Sequence, residues 1–170
     1  MRAVVVYESF QGNTKAVAEE IGRTLRASYD VTVLPVGQKA TDAAMYADLL
    51  VVGGPTWAHG PTSRQMREKN SDKVATPDST GVEVGAREWI EALPQHTGAV
   101  AVFDTRVNWP KVISGAASKG LARRLREHGA ELVAEPESFV VTKNDELVDG
   151  ELEHARDWAM TLVRQRAPSD

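Results

Sequence analysis

The run ESFQGNT, residues 8–14, places hydroxyl, amide and glycine residues between an apolar strand pattern and a helical pattern. Gly12 allows a tight turn and a close approach of the backbone to a ligand. Ser9, Asn13 and Thr14 carry side chains that can donate hydrogen bonds, and the first N–H groups of the following helix have no partner within that helix. Because the helix dipole also favours an anion at this end, the run predicts a phosphate-binding loop.

A plainer interpretation of this loop stays open, in which Asn13 or Thr14 simply caps the helix. The spacing matches neither the nucleoside-triphosphate loop G-x-x-x-x-G-K-[ST] nor the dinucleotide fingerprint G-x-G-x-x-G. Since the loop holds one glycine, a terminal phosphate monoester suits it better than a pyrophosphate does.

Two further loops follow apolar strand patterns and have unusual compositions. The first, GGPTWAHGPTS, contains Trp57, whose large apolar surface must either pack beneath its own loop or stack on a flat ligand. The second, DTRVNWP, offers Asp104, Thr105, Arg106 and Trp109. With a phosphate loop beside them, the two loops predict a site for a planar ring with an attached phosphate, as in a mononucleotide.

Alternating strand and helix patterns would position these loops. Apolar runs predict strands at 3–7, 31–36, 48–52, 99–103 and 132–141, the third ending at Gly53-Gly54-Pro55 and the fifth interrupted by Pro136. Helical patterns follow the first strand and recur at 42–46, 84–93, 116–128 and 150–166. This alternation predicts an open parallel sheet with helices on both faces. Ligands bind such sheets beyond the carboxyl ends of the strands, where all three loops lie.

The composition limits the classes of function. A formal net charge of -4 gives little support to binding of nucleic acid or of an anionic membrane. The lack of cysteine excludes disulfides, thiolate metal sites and a cysteine nucleophile, and the 4 histidines are scattered, so no metal site is expected. The first strand begins at residue 2 and no long apolar run occurs, which predicts a cytoplasmic protein without a signal peptide or a membrane span.

The 170 residues suit one domain, expected at 1–166, with a frayed tail at 167–170. One segment, 62–81, is polar and long for a connector. Disorder is the first interpretation of it, and a mobile lid or a docking surface for a partner are the alternatives.

The run VVVYESFQGNTKAVAEEI resembles the opening signature of flavodoxins and flavodoxin-like proteins. In that family the first loop reads roughly Thr/Ser-x-Thr-Gly-x-Thr and binds the phosphate of flavin mononucleotide (FMN). GGPTWAHG resembles the second flavin loop of the family, whose Trp often covers one face of the flavin ring, and FDTRVNWP stands where the third loop lies. ELEHARDWAMTLV is similar to the C-terminal helices of the family.

The resemblance implies a flavodoxin-like, doubly wound, five-stranded parallel sheet of order 2-1-3-4-5 in a three-layer α/β/α arrangement, with non-covalent FMN. It assigns the phosphate to Ser9, Gln11, Gly12, Asn13 and Thr14, with Gln11 offering an amide where a hydroxyl is usual. It assigns the ring and ribityl chain to Pro55, Thr56, Trp57, Ala58, His59 and Gly60, and the other edge to Asp104, Thr105, Arg106 and, further out, Trp109. Ala58 departs from the glycine that often follows the Trp.

The leading hypothesis is an FMN-binding redox protein that transfers electrons between protein partners, as a monomer or a weak homodimer. A flavin-dependent reductase or oxidase of a quinone or another large organic substrate is the first alternative. A non-redox binding domain with a vestigial flavin site is the second.

Overall fold

A mainly parallel sheet lies at the centre of the protein. The computed structural model describes residues 1–57, 59–74, 79–95, 98–108 and 115–166. The strands are β1 (Arg2–Tyr7), β2 (Asp30–Pro35), β3 (Leu49–Trp57), β4 (Gly60–Pro61), β5 (Ala99–Val107), β6 (Glu131–Leu132) and β7 (Glu137–Val141). The order is β2-β1-β3-β5-β6, with β7 pairing to the second half of β5. Since β6 and β7 share one position in the sheet, the expected order 2-1-3-4-5 is confirmed.

Helices cover both faces of this sheet. They are α1 (Asn13–Leu25), α2 (Gln38–Ala44), α3 (Arg64–Lys69), α4 (Ser71–Val74), α5 (Ala86–Ala92), α6 (Ala117–Glu127) and α7 (Glu151–Arg166). Successive side chains of β1 enter opposite cores, because strand side chains alternate between the two faces. Val5 packs with α1 and α7, and Val6 packs with α2, α5 and α6. The three-layer α/β/α arrangement is therefore confirmed.

The third strand runs further than the sequence predicts. Instead of ending at the two glycines, β3 continues to Trp57 and stays paired with β5 through Pro55 and Thr105. The ring of Phe103 occupies the space beside Gly53, where an added Cβ would lie 2.1 Å from a ring carbon. Gly53 is thus a packing position inside the strand, and the prediction that the strand ends there is wrong.

Other strand and helix boundaries also differ from the predicted ones. β5 extends to Val107 because β7 pairs with it from Phe103 onward. The predicted fifth strand is split into β6 and β7, and the break includes Pro136, as the interruption of the apolar run predicts. The short helix expected at 42–46 instead spans Gln38–Ala44. The other predicted helices lie within about two residues of the observed ones.

The polar segment contains regular structure where it is described. Residues 62–74 include α3 and α4, and residues 79–85 lead into α5. Arg67 of α3 has no exposed surface. Disorder is therefore the wrong interpretation for these residues.

None of the helices in the described ranges has the length and apolar character needed to cross a membrane. Within the same ranges, no group of three or more histidine, aspartate or glutamate side chains is placed to hold a metal ion.

Candidate functional site

A groove with an empty volume of about 650 Å³ lies beyond the carboxyl ends of β1, β3, β5 and β7. Nine of the residues that the sequence nominates line it: Ser9, Gln11, Asn13, Thr14, Pro55, Thr56, Trp57, Thr105 and Arg106. Phe10, Val107, Val141 and Asp145 are the other lining residues in the part of the chain that the structure describes. The parallel strands bring the three nominated loops to one edge of the sheet, as the general rule for such folds predicts.

The loop after β1 forms one end of this groove. Gly12 precedes α1 with φ 86° and ψ -9°, a left-handed conformation that glycine adopts without strain. Gly12 is the N-cap of α1 and makes no side-chain cap, so neither Asn13 nor Thr14 caps the helix as the plainer interpretation required. The Ser9 hydroxyl accepts a hydrogen bond from the Lys15 backbone N–H at 3.4 Å.

Two side-chain contacts fix the last turn of the same loop. The Thr14 and Thr105 hydroxyls lie 2.7 Å apart, and both residues are buried. The Asn13 side-chain amide donates to the Asp145 carbonyl at 2.7 Å. The loop is thereby attached to β5 and to the turn after β7, so its N–H groups keep a fixed direction.

The last backbone N–H groups of this loop lie at the start of α1, where helix geometry leaves them without intrahelical acceptors. Among the described residues, no hydrogen bond uses the backbone N–H of Gln11, Gly12, Asn13 or Thr14. Four successive donors at a helix N-terminus, beside the hydroxyls of Ser9 and Thr14, form a cradle for an anion. The donor set fits a phosphate monoester.

Trp57 forms the apolar part of the groove. Its ring centroid lies 4.8 Å from that of Phe10, with the two planes tilted by 45°. Phe10 is 3% exposed, whereas Trp57 is only half-buried and lines the groove. The ring therefore packs on the neighbouring loop rather than beneath its own, and its remaining surface faces the groove, where stacking on a flat ligand stays a prediction.

Arg106 supplies positive charge to the groove. Its side chain is half-buried, and one guanidinium N–H donates to the Val107 carbonyl at 3.5 Å. A cation beside the groove favours an anionic ligand or a ligand that gains negative charge on reduction.

Asp104 does not line the groove, contrary to the sequence-based expectation. Its carboxylate is fully buried and accepts a hydrogen bond from the Ser118 backbone N–H at 2.7 Å, which anchors the start of α6. Burial raises the pKa of the Asp104 carboxyl above its ordinary value, and hydrogen bonds from Ser118 and Ser138 and the charge of Arg106 oppose that rise. Strand alternation explains why Asp104 and its neighbour Thr105 face opposite sides of the sheet.

His59 and Gly60 lie on the other side of the hairpin between β3 and β4. They line a second cavity with an empty volume of about 600 Å³, together with Pro61, Gly115, Ala116, Lys119 and Gly120. His59 has φ 76° and pairs with Gly115 in an isolated bridge. Gly12 shapes the loop without lining the groove, and Ala58 and Trp109 lie outside the described residues.

Four lining residues were not nominated from the sequence. Phe10 belongs to the first loop itself and Val107 follows Arg106, so position alone could have identified both. Val141 and Asp145 stand at the carboxyl end of β7, which the rule for parallel sheets marks as an edge of the site.

The protein resembles solved flavodoxins over nearly its full length. Oxidised flavodoxin 2 from Bacillus cereus is 22% identical, with 97% of this chain and 99% of that chain covered and a TM-score of 0.69. A flavodoxin from the domain Archaea is also 22% identical, with 97% and 98% covered and a TM-score of 0.66. A flavodoxin, WrbA-like protein from Agrobacterium tumefaciens is 19% identical, with 99% of both chains covered and a TM-score of 0.63.

No protein-family model and no curated protein sequence matches the chain significantly. At 15–22% identity, the structural likeness concerns the arrangement of strands and helices. Together with the observed strand order and the two helical layers, it establishes that this chain has the flavodoxin-like fold.

Proposed function

We propose that the protein binds FMN non-covalently and transfers electrons between protein partners. The observation that carries the proposal is the groove itself, which combines a four-donor anion cradle at one end with a half-buried Trp57 at the other. The likeness to solved flavodoxins supports the choice of FMN over other phosphorylated rings. The single-domain organisation over 1–166 and a monomeric or weakly dimeric state belong to the same proposal.

The residues present fit FMN in distinct roles. Ser9, Gln11, Gly12, Asn13 and Thr14 would hold the phosphate, while Pro55, Thr56, Trp57, Thr105 and Arg106 would contact the ribityl chain and the ring. The Thr56 hydroxyl already accepts a hydrogen bond from the Ala117 N–H at 2.8 Å, so it positions the loop and α6 together. When bound, FMN supplies a ring that accepts and releases electrons, which aliphatic side chains cannot do. Trp57 and Phe10 would exclude water from that ring.

The test is the visible absorption spectrum of the purified protein before and after addition of FMN. A flavin spectrum that stays with the protein through gel filtration, and a lower Kd for FMN than for riboflavin, are expected. If neither flavin binds at micromolar protein, the proposal fails and a binding domain with a vestigial site becomes the better interpretation.

A second candidate function is reduction or oxidation of an organic substrate by the same flavin. The solvent-open cavity beside the hairpin favours it, because this cavity adjoins the loop assigned to the ring and could receive an organic group there. Stepwise reduction with dithionite, monitored by absorption spectroscopy, distinguishes the electron carrier from the enzyme. One-electron steps support electron transfer, whereas a single two-electron step that a quinone reverses rapidly supports the enzyme.

A further inference from the structure

Glu8, at the start of the phosphate loop, is a buried carboxylate with a complete set of partners. It is 1% exposed. One carboxylate oxygen accepts from the Ala86 N–H at 2.9 Å, and the other accepts from the Thr62 hydroxyl and lies 3.7 Å from a guanidinium nitrogen of Arg67. All three partners belong to the chain between β4 and the start of α5. Residues 62–74 and 79–86 of this connection are called the strap below.

Arg67 carries the other charge of this cluster and is fully buried as well. Its guanidinium donates to the Thr62 hydroxyl at 2.9 Å, to the Val82 carbonyl at 2.9 Å and to Glu88 at 3.0 Å. An added Cβ at Gly85 would lie 2.3 Å from the guanidinium. Glycine at this position therefore leaves the space that the Arg67 side chain occupies. The arrangement is therefore fitted closely around the ion pair.

A buried ion pair is weak evidence for stability, because desolvation of two charges offsets most of their attraction. A polar network with every member satisfied does, however, select one arrangement of the segments that it joins. Here the joined segments are the strap and the residue from which the phosphate loop starts.

Thr80 attaches the strap to the loop a second time. The Ser9 carbonyl accepts from the Thr80 N–H at 2.7 Å and from the Thr80 hydroxyl at 3.1 Å. The Ser9 N–H lies 3.2 Å from the same hydroxyl oxygen, which accepts from it. Both polar groups of the Ser9 backbone are thus held by the strap, while the Ser9 hydroxyl accepts from Lys15.

We propose that Glu8, Arg67 and Thr80 are positioning residues, through which the strap holds the phosphate loop in its anion-binding conformation before the ligand arrives. The opposite end of the loop is held by Thr105 and by the Asp145 carbonyl, so the strap supplies the missing support at Glu8 and Ser9. None of the three residues lines the groove. The inference rests on the proposed binding of FMN, since it concerns the phosphate end of that site.

The experiment compares the Kd of FMN with the Kd of riboflavin, because the two ligands differ by the phosphate alone. Thr80→Val removes the hydroxyl and keeps the backbone N–H, whereas Thr80→Ser keeps the hydroxyl. Thr24→Val is a matched control, since the Thr24 hydroxyl donates to the Glu20 carbonyl near the far end of α1. Glu8→Gln removes the charge from the buried cluster, and far-UV circular dichroism checks that each variant folds.

Thr80→Val is expected to weaken FMN binding about three- to tenfold, the effect of losing one or two hydrogen bonds that position the site. Riboflavin affinity should stay within about twofold, and Thr80→Ser and Thr24→Val should behave as the wild type. Glu8→Gln should change the ratio of the Kd of FMN to the Kd of riboflavin in the same direction. Should Glu8→Gln not fold, the comparison of Thr80→Val with Thr80→Ser tests the inference by itself.

Either of two results overturns the inference. One is an unchanged Kd of FMN in Thr80→Val, and the other is an equal loss of FMN and riboflavin affinity, which a merely structural role would produce. Failure of the proposed function looks different, because wild-type protein would then bind neither flavin at micromolar concentration, and the inference would fall with it.

Discussion

At the scale of single residues, Trp57 and the phosphate loop serve different parts of one ligand. Trp57 is half-buried against Phe10 and would contact the ring, which FMN and riboflavin share. We predict that Trp57→Ala raises the Kd of both flavins by the same factor, about three- to tenfold for the loss of one aromatic stacking contact. Fluorescence titration measures both constants.

Trp57→Phe is the control for this prediction, since it keeps an aromatic ring at the same position. It should retain most of the affinity. A variant Trp57→Ala that binds riboflavin as tightly as the wild type would show that the ring lies elsewhere.

Asp104 allows a prediction about pH, because burial raises the pKa of its carboxyl above the ordinary 3.8. The folded state then holds this proton more tightly than the unfolded chain does. The free energy of unfolding therefore falls as pH rises from 3.8 through the raised pKa of the folded state. Asp104→Asn keeps an oxygen that can accept from the Ser118 N–H and removes the titration.

Urea unfolding of the wild type and of Asp104→Asn, measured from about pH 3.5 to pH 7, tests this sign. The stability of the wild type relative to the variant should decline across that window. Glu8, whose pKa burial also raises, is present in both proteins and cancels in the difference. A relative stability that rises with pH would contradict the prediction.

At the scale of elements, β3 and β5 pack together through a glycine that leaves room for an aromatic ring. Because an added Cβ at Gly53 would lie 2.1 Å from the Phe103 ring, Gly53→Ala must displace the buried ring or one of the two strands. We predict a loss of about 1–3 kcal/mol in the free energy of unfolding, as for other overpacked cores. The urea midpoint measures this loss.

Gly60→Ala provides the matched control, since among the described residues, its two chain neighbours aside, no atom lies within 4 Å of its added Cβ. Its effect should stay within about 0.5 kcal/mol. Equal effects of the two substitutions would show that backbone entropy, rather than the Phe103 contact, determines the cost.

At the scale of the whole molecule, the groove exists only when four strand ends come together. Its lining is drawn from the carboxyl ends of β3, β5 and β7 and from the loops after β1 and β7, so the unfolded chain offers no comparable site. We predict that FMN at 100 times its Kd raises the free energy of unfolding by about 2.7 kcal/mol. Riboflavin at the same concentration should raise it less, because it lacks the phosphate.

Urea titrations with and without each flavin measure this stabilisation. An equal shift with both flavins would mean that the phosphate cradle contributes nothing. Absence of any shift would contradict binding to the folded protein.

Much of this architecture follows from local patterns along the chain. Continuous apolar runs such as 3–7 form strands covered on both faces, and their alternation with helices leads to a parallel sheet whose carboxyl ends carry the loops. Residues at or just beyond the carboxyl ends of those strands, such as Ser9, Trp57 and Thr105, therefore reach one groove.

Contacts between distant segments decided the rest. Nothing near Asp104 in sequence indicates that it turns towards α6 rather than the groove, because the direction depends on its register in β5. The sequence predicts a strand end at Gly53, and only the structure shows that Phe103 fills the space beside it. Arg67 lies in a polar segment without apolar periodicity, and only its burial against Glu8 reveals order there. Local patterns report which elements form, whereas the packing of side chains far apart in the chain sets which way each functional group faces.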